Sequence, residues 1–230
     1  MLAPAKWYEA TVSAGQSARR DADHLFVREH VDEETFVAIL KQSVNAVEEA
    51  GIPYVMIGGI PSSVMGRDRW TEDGADIDFF VKAQDTLRTL AALEEAGFLT
   101  REVEPHWLSK ATKDHVVVDV IYRSSGDIYL DDEMVERSFE GQFKGVPIRL
   151  AAAEDLIVMK AIAHREETGR YWHDALGILG RADLDWEYLL RRARQYGARR
   201  VLSLLVYAQS NDIAVPNHAV RDLFASVYEE

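Results

Sequence analysis

YVMIGGIPSS, at residues 54–63, joins a short apolar run to two adjacent glycines and then to a proline. The apolar run predicts a buried strand, and Pro61 predicts a helix start because proline is favoured at the first helical position. Bare backbone N–H groups beside a helix start can hold an anion, and serine hydroxyls can donate to it. The stretch therefore predicts either a phosphate-binding turn or an ordinary tight turn between strand and helix. The candidate phosphate-binding residues are Gly58, Gly59, Ser62 and Ser63.

The sequence around this stretch alternates helix patterns with strand patterns. Residues 32–51 place apolar side chains at three- and four-residue spacing and end on a glycine, which predicts an amphipathic helix. TLRTLAALEEAG predicts a second helix of the same kind. Three further apolar runs predict strands, at 75–81 (ADIDFFV), 115–122 (HVVVDVIY) and 145–151 (GVPIRLA).

A change of pattern near Ala151 predicts how the chain is organised. Every segment that follows it has helical character, from AEDLIVMKAIAHREE to AVRDLFASVYEE. We therefore predict an N-terminal extension at 1–30, an α/β core at 31–150 and a helical domain at 151–230.

Composition restricts the kind of protein. The chain has 230 residues, 47% of them hydrophobic, which is enough to bury a core. It has no cysteine, which excludes disulfides and thiolate metal sites. Its net charge of -13 argues against general adhesion to nucleic acid or to anionic membranes. Neither a signal peptide nor a membrane span is indicated, so we expect a cytoplasmic protein without a membrane partner.

Two aspartates, Asp76 and Asp78, stand two positions apart on the predicted strand ADIDFFV. Their side chains should leave the same face of the strand while Ile77 points into the core. Two like charges at that distance repel each other unless a cation lies between them, and Mg²⁺ takes hard oxygen ligands. The alternative is a chance pair on a solvated edge of an acidic chain.

A third aspartate, Asp119, interrupts the apolar run HVVVDVIY, which is typical of a central strand covered on both faces. An ionised carboxylate at such a position costs several kcal/mol unless it is paired or bound to a metal. One interpretation places Asp119 at a half-exposed strand end or in an ion pair with an arginine. The other brings it together with Asp76 and Asp78 as a three-carboxylate metal site.

Across residues 54–122, this combination of glycine turn, D-I-D and later aspartate resembles the nucleotidyltransferase superfamily that includes DNA polymerase beta. The stretch at 58–78 is similar to bacterial nucleotidyltransferases of the abortive-infection toxin type, in which an arginine and a threonine precede the D-x-D. Arg69 and Thr71 fill those places, although the four residues E-D-G-A after Thr71 make a longer gap than is usual in the group.

The helical segment AEDLIVMKAIAHR, with WHDALGIL after it, is similar to the part of those relatives that supplies a lysine and an acidic residue to the nucleotide pocket. That similarity nominates Lys160 and Asp174 as nucleotide-binding residues. From the residues alone, Lys160 could equally be solvated at the edge of an apolar helix. Asp174 could simply pair with Arg165 or Arg170.

The resemblance implies an α+β fold with a polymerase beta-like mixed-sheet core and a C-terminal helical domain. It implies transfer of a nucleoside monophosphate from a nucleoside triphosphate such as ATP, with release of pyrophosphate. It also implies Mg²⁺ as the cofactor, as two ions, with Mn²⁺ as a substitute. The implied catalytic residues and metal ligands are Asp76, Asp78 and Asp119.

Three functions are compatible with this sequence. The acceptor could be RNA, such as the tRNA modified by a toxin that a separate antitoxin protein restrains. It could be a small hydroxylated molecule, and the acidic net charge favours that choice if the molecule is cationic. The third alternative is a noncatalytic nucleotide-binding or interaction protein that keeps the fold. One arginine-rich segment, RRARQYGARR at 191–200, could contact RNA or could be a solvated helix face.

Overall fold

A computed structural model of the protein describes residues 31–66 and 76–229. The predicted N-terminal extension at 1–30 lies outside the described residues. The helices are α1 Glu33–Glu49, α2 Gly59–Met65, α3 Thr86–Glu95, α4 Asp132–Arg137, α5 Ala153–Ala163, α6 Arg170–Leu179, α7 Trp186–Tyr196, α8 Ala198–Ser210 and α9 Asn217–Tyr228. The strands are β1 Tyr54–Met56, β2 Ile77–Val81, β3 Leu99–Glu104, β4 Leu108–Lys113, β5 Val116–Ile121, β6 Phe139–Phe143 and β7 Val146–Leu150.

These strands form one mixed sheet in the order β3-β4-β5-β2-β1-β7-β6. The pairs β2·β5 and β1·β7 are parallel, and the other neighbouring pairs are antiparallel. The predicted α+β class with a mixed sheet is therefore confirmed. None of the described helices combines the length and the apolar character that a membrane crossing needs.

The sheet carries a hydrophobic core on each face, which gives three layers. On one face, α1 and α3 pack through side chains such as Phe36 and Leu93 against Phe79 of β2. On the other face, α5 to α9 pack against Val55 of β1 and Phe80 of β2. Because side chains alternate along a strand, Asp78 lies on the same face as Phe80, towards the C-terminal helices.

Most elements follow the sequence pattern closely. In α1, the apolar positions predicted from their spacing are buried, and Asp32 caps the helix by accepting a 2.8 Å hydrogen bond from the Thr35 backbone N–H. The helical character after Ala151 is also confirmed, since β7 ends at Leu150 and the described elements after it are helical. The division into separate domains stays a prediction.

The sequence patterns missed strands β3, β4 and β6, and they misplaced Pro61. β3 and β6 are mostly exposed, and β4 carries two lysines, so none of them has a continuous apolar run. Their strand conformation comes from pairing with neighbours rather than from their own side chains. Helix α2 begins at Gly59, so Pro61 is its third residue and not its first.

Candidate functional site

The three predicted aspartates converge at the centre of the sheet. Asp78 on β2 lies directly opposite Asp119 on the adjacent parallel strand β5, and Asp76 immediately precedes β2. Ile77, between the two aspartates, is fully buried on the other face, as expected. One carboxylate oxygen from each of the three aspartates lies within 4.8 Å of the other two. The geometry therefore matches the metal-site interpretation, with Asp119 itself 7% exposed.

The glycine turn lies against this carboxylate cluster. Gly58 has φ +76°, a conformation that L side chains rarely adopt. A Cβ atom at Gly58 would lie 1.9 Å from the Asp78 Oδ2 atom. The Ile57 backbone N–H donates a 3.1 Å hydrogen bond to the Asp78 carbonyl and fixes the turn beside β2. The lack of a side chain at Gly58 therefore leaves room for the Asp78 carboxylate. The phosphate binding expected of Gly58 from the sequence stays a prediction.

The remaining residues of the turn separate into two groups. A Cβ atom at Gly59 would meet no described atom within 4 Å, so this backbone faces open space in the cleft. Ser63 also lines the cleft. Ser62 is 2% exposed, and its hydroxyl donates a 2.6 Å hydrogen bond to the Gly58 carbonyl. Ser62 thus supports the turn from inside, whereas Gly59 and Ser63 are placed where a ligand could reach them.

A cleft of about 840 Å³ opens above the carboxylates. One wall is the sheet with the glycine turn, and the opposite wall is formed by helices α5 and α6. The volume is within the range of small-molecule sites. Among the described residues, the charged ones that line the cleft are Asp76, Asp78, Lys110, Asp119, Arg123, Asp127, Lys160, Arg170 and Asp174.

Lys160 and Asp174 meet on the helical wall of this cleft. The Lys160 Nζ atom lies 2.8 Å from the Asp174 Oδ2 atom, and the two side chains are 6% and 4% exposed. The Lys160 ammonium also lies 5.6 Å from the centre of the Tyr171 ring. The solvated position considered for Lys160 is therefore wrong. Asp174 pairs with Lys160, a partner that the sequence patterns did not name.

Lys110 is a cleft residue that the sequence patterns did not identify. It lies on β4 directly opposite Asp119, and its Nζ atom is 2.5 Å from the Asp119 Oδ1 atom. Lys110 was missed because β4 itself was missed. The only local signal for it is the period of two along β4, which places Lys110 on the same strand face as Leu108 and Thr112. Arg123 and Tyr171 also line the cleft without having been predicted.

Two predicted residues, Arg69 and Thr71, lie outside the described residues. Their assignment to the nucleotide pocket stays a prediction that depends on the resemblance.

The arginine-rich segment is not a uniform surface. Arg192 is 2% exposed, and its guanidinium lies 2.9 Å from Asp155 Oδ1 and 2.6 Å from Asp131 Oδ2. The Tyr188 hydroxyl donates a 2.8 Å hydrogen bond to the second Asp155 oxygen. Burial raises the pKa of Asp155 to about 6, although the Arg192 charge opposes the shift. Arg192 is therefore a structural residue, and the solvated helix face considered for this segment is wrong at this position. Contact of the other arginines with RNA stays a prediction.

Comparison with known families agrees with this geometry. Residues 36–192 match the family described as "nucleotidyl transferase of unknown function (DUF2204)". The match spans more than half of the chain, and the chain belongs to this family. The predicted nucleotidyltransferase superfamily and enzyme class are thus confirmed, while the narrower likeness to toxin-type relatives stays a prediction. No curated protein matches the chain.

Several solved structures are similar to the chain at low identity. The antibiotic-resistance factor ANT(2'')-Ia has 17% identity and a TM-score of 0.49, covering 79% of this chain and 95% of that one. The lincosamide antibiotic adenylyltransferase LnuA, bound to lincomycin, has 17% identity and a TM-score of 0.46, covering 65% and 99%. JHP933 from Helicobacter pylori has 15% identity and a TM-score of 0.43, covering 85% and 91%.

Proposed function

We propose that this nucleotidyl transferase moves a nucleoside monophosphate from a nucleoside triphosphate to an acceptor hydroxyl, and that pyrophosphate is released. The observation that carries the proposal is the cluster formed by Asp76, Asp78 and Asp119. It lies at the base of a cleft large enough for a nucleotide, directly beside the glycine turn. A family match alone would leave the reacting centre unassigned, and this cluster supports the choice of these three side chains.

The donor set fits a divalent cation. Three carboxylates offer hard oxygen ligands within 4.8 Å of one another, and Mg²⁺ prefers such ligands, with Mn²⁺ accepted by the same chemistry. The fit of Gly58 against the Asp78 carboxylate keeps that ligand in place without a competing side chain. When bound, the cation neutralises phosphate charge and lowers the pKa of a coordinated hydroxyl. Asp76, Asp78 and Asp119 would hold it.

The other cleft residues would bind and orient the triphosphate. Gly59 leaves its backbone open to phosphate oxygens, and the nearby Ser63 hydroxyl can donate to them. From the opposite wall, Lys160 would supply positive charge, and Asp174 would hold its ammonium in position through their 2.8 Å contact. We include Arg69 and Thr71 among the proposed nucleotide-binding residues because of the family resemblance.

For the acceptor, we favour a small hydroxylated molecule over RNA. The net charge is -13, and the described cleft residues include five carboxylates and four cations. That balance suits a cationic acceptor better than a polyanion. The burial of Arg192 also removes one cation from the segment that could have contacted a tRNA backbone. An RNA acceptor, with an antitoxin as partner, remains the second candidate because of the toxin-type resemblance.

The test uses the full chain with Mg²⁺, each α-labelled nucleoside triphosphate in turn, and a cell extract separated into RNA and small-molecule fractions. We expect label in the small-molecule fraction and its loss in Asp78→Asn. The matched control is Asp222→Asn, which changes an exposed carboxylate on α9 and should leave transfer unchanged.

Two results would contradict the proposal. Transfer that persists in Asp78→Asn would remove Asp78 from the reacting centre. The absence of transfer from all four nucleotides to either fraction would count against the reaction itself. Nuclease-sensitive label in the RNA fraction would instead keep the reaction and select the other acceptor.

A further inference from the structure

Lys110, Asp119 and Asp78 form one row across three neighbouring strands. Lys110 on β4 is opposite Asp119 on β5, and Asp119 is opposite Asp78 on β2. Residues that are opposite in a sheet extend their side chains on the same face. The ammonium group and the two carboxylates are therefore fixed next to one another by strand pairing, not by a flexible loop.

The Lys110 ammonium is held against Asp119, at one end of this row. Its Nζ atom lies 2.5 Å from Asp119 Oδ1, and the two side chains are 18% and 10% exposed. Lys113, on the same strand, shows the contrast: its Nζ atom donates a 2.8 Å hydrogen bond to the Ala96 carbonyl, away from the cleft. Of these two β4 lysines, Lys110 is the one whose charge lies among the proposed metal ligands.

We propose that the Lys110 ammonium occupies the cation position on the Asp119 side of the cluster, so that the site holds one divalent cation instead of two. The inference rests on the proposed function, because it requires that Asp76 and Asp78 bind a divalent cation. It departs from the two ions that the family resemblance implies.

The charges explain why a second ion is disfavoured. The three carboxylates carry three negative charges, and Lys110 contributes one positive charge at Asp119. A second divalent cation on the same Asp119 oxygen would have to displace the ammonium or bind at about its contact distance, where like charges in a poorly solvated site repel strongly.

The inference is tested by counting bound ions in the absence of nucleotide. Mn²⁺ is titrated into the full chain by calorimetry, and bound Mn²⁺ is measured independently by electron paramagnetic resonance. The variants are Lys110→Met, which removes the charge at similar length, and Lys110→Arg, which keeps it. Lys113→Met is the matched control, since it removes a lysine from the same strand outside the cleft.

We expect one Mn²⁺ per chain in the wild type, in Lys110→Arg and in Lys113→Met. Lys110→Met should bind two, with the first held about tenfold more tightly because a neighbouring positive charge is gone. Circular dichroism checks that each variant is folded, and Lys110→Gln replaces Lys110→Met if the latter is not.

Two ions in the wild type, or one ion of unchanged affinity in the folded uncharged Lys110 variant, would overturn the inference while leaving the proposed function intact. No Mn²⁺ binding in any folded chain would instead refute the metal site of the proposed function, and this inference with it.

Discussion

Substitution of Gly58 by alanine tests whether the glycine turn and the carboxylate cluster form one unit. The new Cβ atom would lie 1.9 Å from Asp78 Oδ2, whereas contacts under 3.0 Å are essentially never observed for Cβ atoms. The carboxylate or the turn must therefore move by roughly 1 Å, and ligand positions for a metal tolerate about 0.2 Å. The φ of +76° adds a backbone cost of about 1–3 kcal/mol.

We expect Gly58→Ala to lose about 1–3 kcal/mol of unfolding free energy in chemical denaturation. Its Mn²⁺ affinity in calorimetry should fall by tenfold or more. Gly51→Ala is the matched control, because Gly51 also has positive φ, at +62°, but a Cβ atom there meets nothing within 4 Å. It should be destabilised through the backbone alone, with metal binding unchanged. Equal Mn²⁺ affinity in Gly58→Ala and Gly51→Ala would refute the reasoning.

Two further predictions concern buried charges. Because burial raises the folded-state pKa of Asp155 to about 6 from 3.8, the unfolded state releases this proton first as pH rises. The stability of the wild type relative to Asp155→Asn should therefore decrease between about pH 4 and pH 6, and denaturation curves showing a flat or rising difference would contradict this. Lys160→Met should cost about 3–5 kcal/mol because it removes the ammonium beside buried Asp174. In a denaturation cycle, Lys160→Met combined with Asp174→Leu should cost less than the sum of the single changes, and strict additivity would show that the pair is not coupled.

The sequence predicted those elements whose own side chains specify them. The helix α1 and the strands β2 and β5 carry apolar positions at the period of their structure, and these positions are buried. β3 and β6 could not be found in the same way, because they are edge strands with exposed side chains. Their strand conformation depends on pairing, of β3 with β4 and of β6 with β7. The apolar pattern of a single segment does not report such pairing.

The site shows the same division between local and tertiary information. Asp76, Asp78 and Asp119 could be predicted because each interrupts or borders an apolar strand, where a carboxylate needs a reason. Lys110 lies on a strand without that contrast. Arg192 was misjudged for a different reason: a run of arginines on an amphipathic helix indicates a solvated face, and the burial of one of them follows from Asp155 and Asp131, which lie far away in the sequence.

Most of the cations that line the cleft lie beside a carboxylate. Lys110 lies beside Asp119, Lys160 beside Asp174, and Arg123 is 3.4 Å from Asp127, so three of the cleft cations each accompany a carboxylate. Asp76 and Asp78 add two further carboxylates beside Asp119 in the same cleft. A triphosphate would be repelled there without a bound divalent cation and attracted with one. Nucleotide binding should therefore depend on the cation, and the cation should bind first.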